Sequence, residues 1–308
     1  MRNAILVTPR SLSSGGHPAL ARLEAAGFAL RCPAPGQTPS EEQLAAALPG
    51  CVGWLAGVEP VGPRALAAAD RLRVISRNGT GVDNLPLKAL AARGIAVRVT
   101  PGANARGVAE LALTLALAGL RHVVATHEGI RAGRWPRLKG QEIAGAKVAV
   151  VGLGAVGSAA AELFCALGAE VWGVDPEAPG PALPAFRRAS LEGALAGAAA
   201  VSLHCPLGAR PLLGARELAS LARGATLVNT ARAGLVEEAA LRAALESGQL
   251  GCYATDVFDV EPPAPSALTA HPAVVMTSHV GGLTGASVDR AATMAVDNLL
   301  EELGVAPA

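Results

Sequence analysis

The chain has 308 residues, 51% of them hydrophobic and 17% charged, with 36 glycines and 22 prolines. That length can hold two globular domains with their own cores. Lys+Arg 26 against Asp+Glu 25 gives a net charge of +1, and no dense basic run gives nucleic acid or a membrane surface an electrostatic footprint.

In chain order, short apolar runs suited to strands stand at residues 4–8, 51–56, 72–76, 147–152, 170–175, 200–205, 225–230 and 273–278. Amphipathic stretches suited to helices stand at 18–26, 41–48, 63–69, 86–92, 155–167, 215–222, 236–247 and 285–303. This alternation predicts an α/β protein with parallel sheets. A first half runs to about residue 98. After it, "TPGANARGVAELALTLALAGL" offers Asn104 as a helix N-cap, and a second α/β unit starts at "KVAVVGLG". No strand follows the last helix, so that helix could return to the first domain and make it discontinuous.

The five cysteines (Cys32, Cys51, Cys165, Cys205, Cys252) are scattered, with no pair at CxxC spacing. They indicate free thiols in a reducing compartment and no metal site. The N-terminal apolar run is too short for a signal-peptide core. The stretch from Leu111 to Leu120 is about half of the ~20 residues that span a bilayer. A soluble, cytoplasmic protein is expected.

"VAVVGLGAVG" places Gly152, Gly154 and Gly157 between a strand and a helix, and Asp175 ends the next strand. This context turns a weak GxGxxG into a specific dinucleotide-binding signal. Gly152 permits the tight turn, Gly154 lets the backbone approach a pyrophosphate, and Gly157 lets helix and strand pack closely. The helix N-terminus offers its N–H groups to the phosphates. Asp175 can accept from both ribose hydroxyls, and Pro176 and Glu177 after it supply no arginine for a 2′-phosphate, which favours NAD over NADP.

Three more segments end strands with polar residues: "NTARAGLVEE" (229–238), "TDVFDVEPP" (255–263) and "TSHVGGLTGAS" (277–287). Carboxyl ends of strands form the ligand crevice of a doubly wound sheet. They bring Arg232, Glu261 and His279 there. Arginine pairs bidentately with a carboxylate, and a histidine beside a glutamate is suited to general acid/base work. Beside NAD, this trio suggests hydride transfer on a 2-hydroxy or 2-keto acid. His17, His122, His127, His204 and His271 have no such context and are read as structural.

Taken together, "RNGTGVDN", "TPGANARGVAEL", "VVGLGAVG", "NTARAGLVEEAAL", "DVFDVEP" and "HVGGLT" resemble the D-isomer-specific 2-hydroxyacid dehydrogenases, and within them the D-3-phosphoglycerate dehydrogenases. The resemblance implies a Rossmann-type NAD domain at 99–282 and a smaller, discontinuous, flavodoxin-like substrate domain at 1–98 and 283–308. It implies that Arg232 holds the substrate carboxylate, that His279 exchanges the hydroxyl proton, and that Glu261 orients His279. Ala155, Val156, Cys205, Thr230 and Gly282 would line the cofactor, Asp256 would meet its carboxamide end, and Thr80 would lie between cofactor and substrate. Arg77, Asn78, Gly79 and Gly81 would surround the substrate with Thr80. Arg134 and Arg137 could reach the site of a neighbouring subunit in a homodimer formed through the cofactor domain.

Some positions depart from the pattern. Phosphoglycerate-type sequences often carry an arginine after the third strand, where this chain reads "LAGVEP" with Ala56 and Gly57. Ala233 replaces a usual glycine, and Ser278 a usual proline before the histidine. The C-terminal regulatory domains of longer relatives are not expected after Ala308. The leading substrate expectation is D-3-phosphoglycerate/3-phosphohydroxypyruvate. Hydroxypyruvate or glyoxylate reduction, or oxidation of another anionic hydroxy acid such as sulfolactate, is the alternative. A different class, an NAD-sensing corepressor that recruits protein partners, is disfavoured because all three catalytic residue types are kept.

Overall fold

The computed structural model describes residues 3–14 and 16–305. The outermost residues of the expected 1–98 and 283–308 segments, and Gly15, lie outside these. The chain divides into two compact units, one running up to Asn104 and resuming at Gly285, the other Ala105–Thr284. The divisions thus fall six residues and two residues later than the expected 98 and 283. The run from Val99 to Asn104 is the difference at the first: Thr100 N–H donates to the Gly79 carbonyl at 3.1 Å, and the Arg290 guanidinium donates to the Ala103 carbonyl at 2.8 Å, both within the first unit.

The first unit carries strands β1 (Ala4–Val7), β2 (Ala29–Arg31), β3 (Cys51–Ala56), β4 (Val74–Arg77) and β5 (Ala96–Arg98). Its helices are α1 (Arg10–Ser13), α2 (Pro18–Ala25), α3 (Glu41–Ala47), α4 (Pro63–Ala68) and α5 (Leu87–Ala92), with α12 (Gly285–Glu302) returning from the far end of the chain. All strand pairs are parallel, in the order β2-β1-β3-β4-β5. This is the flavodoxin-like order, with its switch point between β1 and β3. Side-chain alternation along β1 sends Ala4 and Leu6 to one core, with Trp54 and Leu90, and Ile5 and Val7 to the other. Ala292, Ala295, Val296 and Leu299 of α12 complete the second core, which is why the last helix belongs to this unit.

The second unit carries α6 (Ala105–Leu120), α7 (Val123–Arg131), β6 (Lys147–Val151), α8 (Ala155–Ala166), β7 (Glu170–Val174), β8 (Phe186–Arg188), α9 (Leu191–Leu195) and β9 (Ala200–Leu203). It continues with α10 (Ala215–Ala219), β10 (Ala225–Asn229), a 3-10 turn at Ala233–Leu235, α11 (Glu238–Glu246), β11 (Leu250–Thr255) and β12 (Val274–Met276). The sheet is parallel in the order β12-β11-β10-β9-β6-β7-β8. Counted from β6, this is the dinucleotide-binding order with one strand added, and it reverses between β6 and β9. Apolar clusters cover both faces, which suits continuous runs such as "VAVV" better than alternating ones. The Leu111–Leu120 stretch lies on α6, where Ala112, Leu115, Ala116 and Leu120 are buried in the core against α8. Among the described residues no single helix is long and apolar enough to cross a membrane.

Candidate active site

The glycine turn is built as its sequence implies. Gly152 follows β6 with φ +90, in the left-handed region, and a Cβ there would stand 2.6 Å from the Cys205 nitrogen. A Cβ on Gly157 would collide with the Gly152 carbonyl oxygen. Both are therefore required by packing. Gly154 is different: a Cβ there meets nothing within 4 Å. The fold leaves that side open, so glycine at this position suits a ligand that comes close to the backbone. Ala155, Val156 and Gly157 form the first turn of α8, a helix of 12 residues. Their N–H groups precede the first intrahelical donor, Ser158, which bonds to the Gly154 carbonyl at 2.9 Å.

Asp175 follows β7. Its carboxylate accepts from the Leu153 N–H at 2.7 Å, the Ala178 N–H at 2.8 Å and the Glu177 N–H at 2.9 Å. The Leu153 bond leads the causes that hold its pKa below the usual carboxylate value. An ionised carboxylate at the second strand end disfavours a 2′-phosphate. Pro176 and Glu177 supply no arginine, but the fold brings one from further along the chain. Arg188, 13 residues on in β8, donates to the Asp175 carbonyl. The three-residue strand "FRR" had no periodic signal to announce it.

The far wall of the turn is the end of β9. His204 N–H donates to the Val151 carbonyl at 2.7 Å, and its ring Nε2 lies 2.8 Å from Ser202 Oγ. Burial pushes the His204 pKa down to about 4, so this histidine is neutral and structural, as its context suggested. Burial raises the Cys205 thiol pKa, which does not favour a thiolate nucleophile. At the end of β10 the Thr230 hydroxyl is buried without a hydrogen-bond partner. A buried orphan hydroxyl at an expected cofactor-lining position fits a polar ligand there. These features together fit NAD.

Arg232 does not begin a helix. It is extended (φ −145, ψ 135) and precedes the 3-10 turn, while α11 starts at Glu238. The helix expected from 236 therefore begins two residues later. Asn229, fully buried at the end of β10, shapes the Arg232 loop. Its Nδ2 donates to the Arg232 carbonyl at 2.8 Å and its Oδ1 accepts from the Ala231 N–H at 3.1 Å. The Arg232 guanidinium donates to the Ala231 carbonyl at 2.7 Å.

His279 and Glu261 are paired. Nδ1 of His279 lies 2.8 Å and 3.0 Å from the two carboxylate oxygens of Glu261. The pair is half-exposed, at 51% and 38%. With Nδ1 engaged by a carboxylate, Nε2 is the nitrogen left for proton exchange. His279 is in the left-handed region with φ 55, a conformation that needs support. Asp256, 2% exposed, supplies it. It accepts from the Thr277 hydroxyl at 2.6 Å and from the Val280 and Gly281 N–H groups at 2.8 Å each. Asp256, expected at the carboxamide end of a cofactor, is thus placed beneath the histidine turn, with Gly282 the next residue along it. Neither Asn229 nor the Thr277–Asp256 clamp was singled out for this holding role in the sequence.

In the first unit, Arg77 ends β4 and is 8% exposed. It donates to the Asn78 carbonyl at 2.7 Å. The chain then turns at Gly79 (φ 146), Thr80 is exposed, and Gly81 is partly buried. Arg134 and Arg137 lie in the exposed segment after α7. Among the described residues no ion pair joins them to Glu261. No group of three or more His, Cys, Asp or Glu among the described residues could hold a metal.

Residues 113–281, just over half of the chain, match the family described as D-isomer specific 2-hydroxyacid dehydrogenase, NAD binding domain. A hydroxypyruvate reductase of Thermotoga maritima is 34% identical over 247 residues, 78% of this chain and 80% of that protein. A D-3-phosphoglycerate dehydrogenase of Mycobacterium bovis is 38% identical over 263 residues, 83% of this chain but only 50% of that longer protein. The crystal structure of the TT0316 protein from Thermus thermophilus superposes with a TM-score of 0.87 at 36% identity, over 99% of this chain and 98% of the other. The chain belongs to the D-isomer specific 2-hydroxyacid dehydrogenase family, NAD-dependent oxidoreductases that act on the CH–OH group of 2-hydroxy acids.

Proposed function

We propose that the chain interconverts a small anionic D-2-hydroxy acid and its 2-keto acid, with Arg232, Glu261 and His279 as its catalytic residues. The observation that carries this is the 2.8 Å pair of His279 Nδ1 and Glu261, on a turn that Asp256 holds in place. NAD supplies the hydride acceptor or donor when bound, held by the Gly152–Gly157 turn, Asp175, Cys205 and Thr230. Arg232 binds the substrate carboxylate and stabilises charge on the C2 oxygen. In the oxidative direction Nε2 of His279 takes the hydroxyl proton, and in the reductive direction it returns one. Glu261 fixes the ring by holding its Nδ1.

Two substrates have support from relatives. The Thermotoga maritima protein is named for hydroxypyruvate, the Mycobacterium bovis protein for 3-phosphoglycerate. Both share the carboxylate and C2 that the trio addresses, and they differ in the tail. The test is a kcat/KM panel of D-2-hydroxy and 2-keto acids with NAD(H) and NADP(H). Turnover with NAD(H) on at least one of them is expected, and none on any would refute the assignment. Asp175→Ala should lower kcat/KM for NAD by roughly ten- to a hundredfold, the worth of charge-assisted hydrogen bonds. It should also narrow the preference over NADP, because Arg188 stays beside the vacated carboxylate. A wild-type enzyme that prefers NADP(H) would contradict the role given to Asp175.

The same unit is proposed to pair with a second copy. Val123 and Ile130 on α7 and Trp135 and Leu138 after it are large apolar side chains left exposed, Trp135 at 80%. Large apolar side chains left exposed along one stretch of chain suit an interaction surface. Sedimentation should give twice the chain mass for the wild type, and Trp135→Glu should shift it towards the monomer. A wild type that sediments as a monomer at micromolar concentration rules the dimer out.

A further inference from the structure

Arg232 and Asp256 leave neighbouring strands of one sheet. Arg232 follows β10 and Asp256 follows β11, and the two strands run parallel with Leu227 opposite Tyr253 and Asn229 opposite Thr255. Tyr253 and Thr255 are two residues apart and so lie on one face of β11, the face that Asn229 shares across the ladder. All three are buried, Asn229 at 0%, Thr255 at 3% and Tyr253 at 4% exposed. Polar groups this deep in a sheet are costly unless hydrogen bonds satisfy them, and here the bonds lead to both loops.

Asn229 is the junction. Its side chain serves the arginine loop, with Nδ2 donating to the Arg232 carbonyl at 2.8 Å and Oδ1 accepting from the Ala231 N–H at 3.1 Å. Tyr253 Oη stands 3.4 Å from Asn229 Nδ2 and accepts its second hydrogen. The Asn229 carbonyl serves the other loop: it accepts from the Asp256 N–H at 3.1 Å and from the Thr255 hydroxyl at 3.2 Å. The same hydroxyl reaches the Val257 carbonyl at 2.9 Å and accepts from the Val257 N–H at 3.2 Å, which closes the turn around Asp256. The Thr255 carbonyl accepts from the Thr277 N–H at 3.0 Å, two residues before His279.

A 2-keto acid presents its carboxylate and its C2 oxygen on adjacent carbons. Groups that address both must keep a fixed separation, and a misplacement of about 1 Å can cost about a hundredfold in rate. We propose that Thr255 and Tyr253 are positioning residues of this enzyme, which act through Asn229 to hold the Arg232 loop in register with the Asp256 turn that carries His279. This rests on the dehydrogenase reading, with Arg232 and His279 as catalytic residues. The tie serves only the carboxylate and C2, so its loss falls equally on substrates of every tail.

The experiment measures kcat/KM for glyoxylate, hydroxypyruvate and 3-phosphohydroxypyruvate at saturating NADH. It uses wild type, Thr255→Val, Thr255→Ser and Tyr253→Phe, each also in an Arg232→Ala background. Thr255→Val keeps the shape and loses the hydroxyl, and it should lower kcat/KM by about tenfold for every 2-keto acid that the wild type reduces. Thr255→Ser keeps the hydroxyl and should recover most of the activity. Tyr253→Phe should cost about threefold, because its bond is the longest of the set. KM for NADH should stay near the wild-type value throughout. In the Arg232→Ala background each loss should shrink to about twofold or less, because residues that act as a unit are not additive. A threonine with a merely structural role would lower the melting temperature without this dependence on Arg232. Wild-type kcat/KM in a folded Thr255→Val protein, a loss confined to one tail, or a loss as large in Arg232→Ala as in wild type overturns the proposal while the dehydrogenase reading stands. Should Thr255→Val fail to fold, Tyr253→Phe decides by the same comparison. A wild type that reduces none of the three acids with NADH or NADPH would instead strike the dehydrogenase reading.

Discussion

Arg232→Ala is expected to lower kcat/KM for the preferred 2-keto acid by about thirtyfold to several thousandfold, as a loss of roughly 2–5 kcal/mol predicts for a desolvated charge pair stripped of one partner. The physical reason begins with the backbone. Asn229 is fully buried and ties the Arg232 carbonyl and the Ala231 N–H to the end of β10, so the arginine leaves the strand on a fixed loop. A guanidinium so placed loses little freedom when a carboxylate pairs with it, and its planar fork matches both oxygens. Lysine keeps the charge and loses the fork, so Arg232→Lys should recover only part of the activity. Steady-state kinetics with NADH held saturating provide the measurement. KM for NADH should stay near the wild-type value, because the glycine turn and Asp175 are untouched. Activity equal to wild type in Arg232→Ala would remove this residue from the substrate site.

The same loop shows what the sequence could and could not convey. Arg232 was legible as a polar residue at the end of a strand, ahead of a helix expected from residue 236. That the helix waits until Glu238, with a 3-10 turn between, depends on Asn229 and on β-bridge pairing of Val236 with Leu213. Those contacts join residues that no periodicity connects. The longer central strands β3, β6, β7, β9 and β10 were legible because both of their faces are buried and their apolar runs are continuous. Strands β2, β5 and β8 have three residues each, too few to show a period, and they are defined by their neighbours. Strand β11 was missed for another reason. Its second residue, Gly251, breaks the apolar run, yet a Cβ there would sit 2.5 Å from the Gly224 carbonyl oxygen. The buried carboxyl of Glu59, three residues after β3, accepts from the Thr8 hydroxyl and was hidden more deeply. "LAGVEP" revealed a missing arginine, but the carboxyl's place depends on Thr8, 51 residues away.

His279→Ala should reduce kcat by about a hundredfold to ten-thousandfold, the range for loss of a positioned general acid or base, while KM for NADH changes little. The structure narrows how that loss should behave. Nδ1 is held by Glu261, so the proton exchanged with substrate travels through Nε2. Glu261→Gln leaves a hydrogen-bonding partner of the same size but replaces two equivalent acceptor oxygens with an amide that offers only one. Its loss should therefore be smaller than that of His279→Ala, because the ring keeps a partner that holds it. The turn matters as much as the ring. His279 sits at φ 55 only because Asp256 grips the Val280 and Gly281 N–H groups and the Thr277 hydroxyl. Asp256→Asn would turn an acceptor-only group into one that must also present an amide to those donors. It should lower kcat without touching any reacting atom. The decisive comparison is the double variant His279→Ala with Asp256→Asn. If Asp256 acts by placing the histidine, its loss should cost little once the ring is gone, because residues that act as a unit are not additive. Fully additive losses would assign Asp256 a separate role, such as the cofactor contact first expected of it, and turnover undiminished in His279→Ala would remove the histidine from the chemistry altogether.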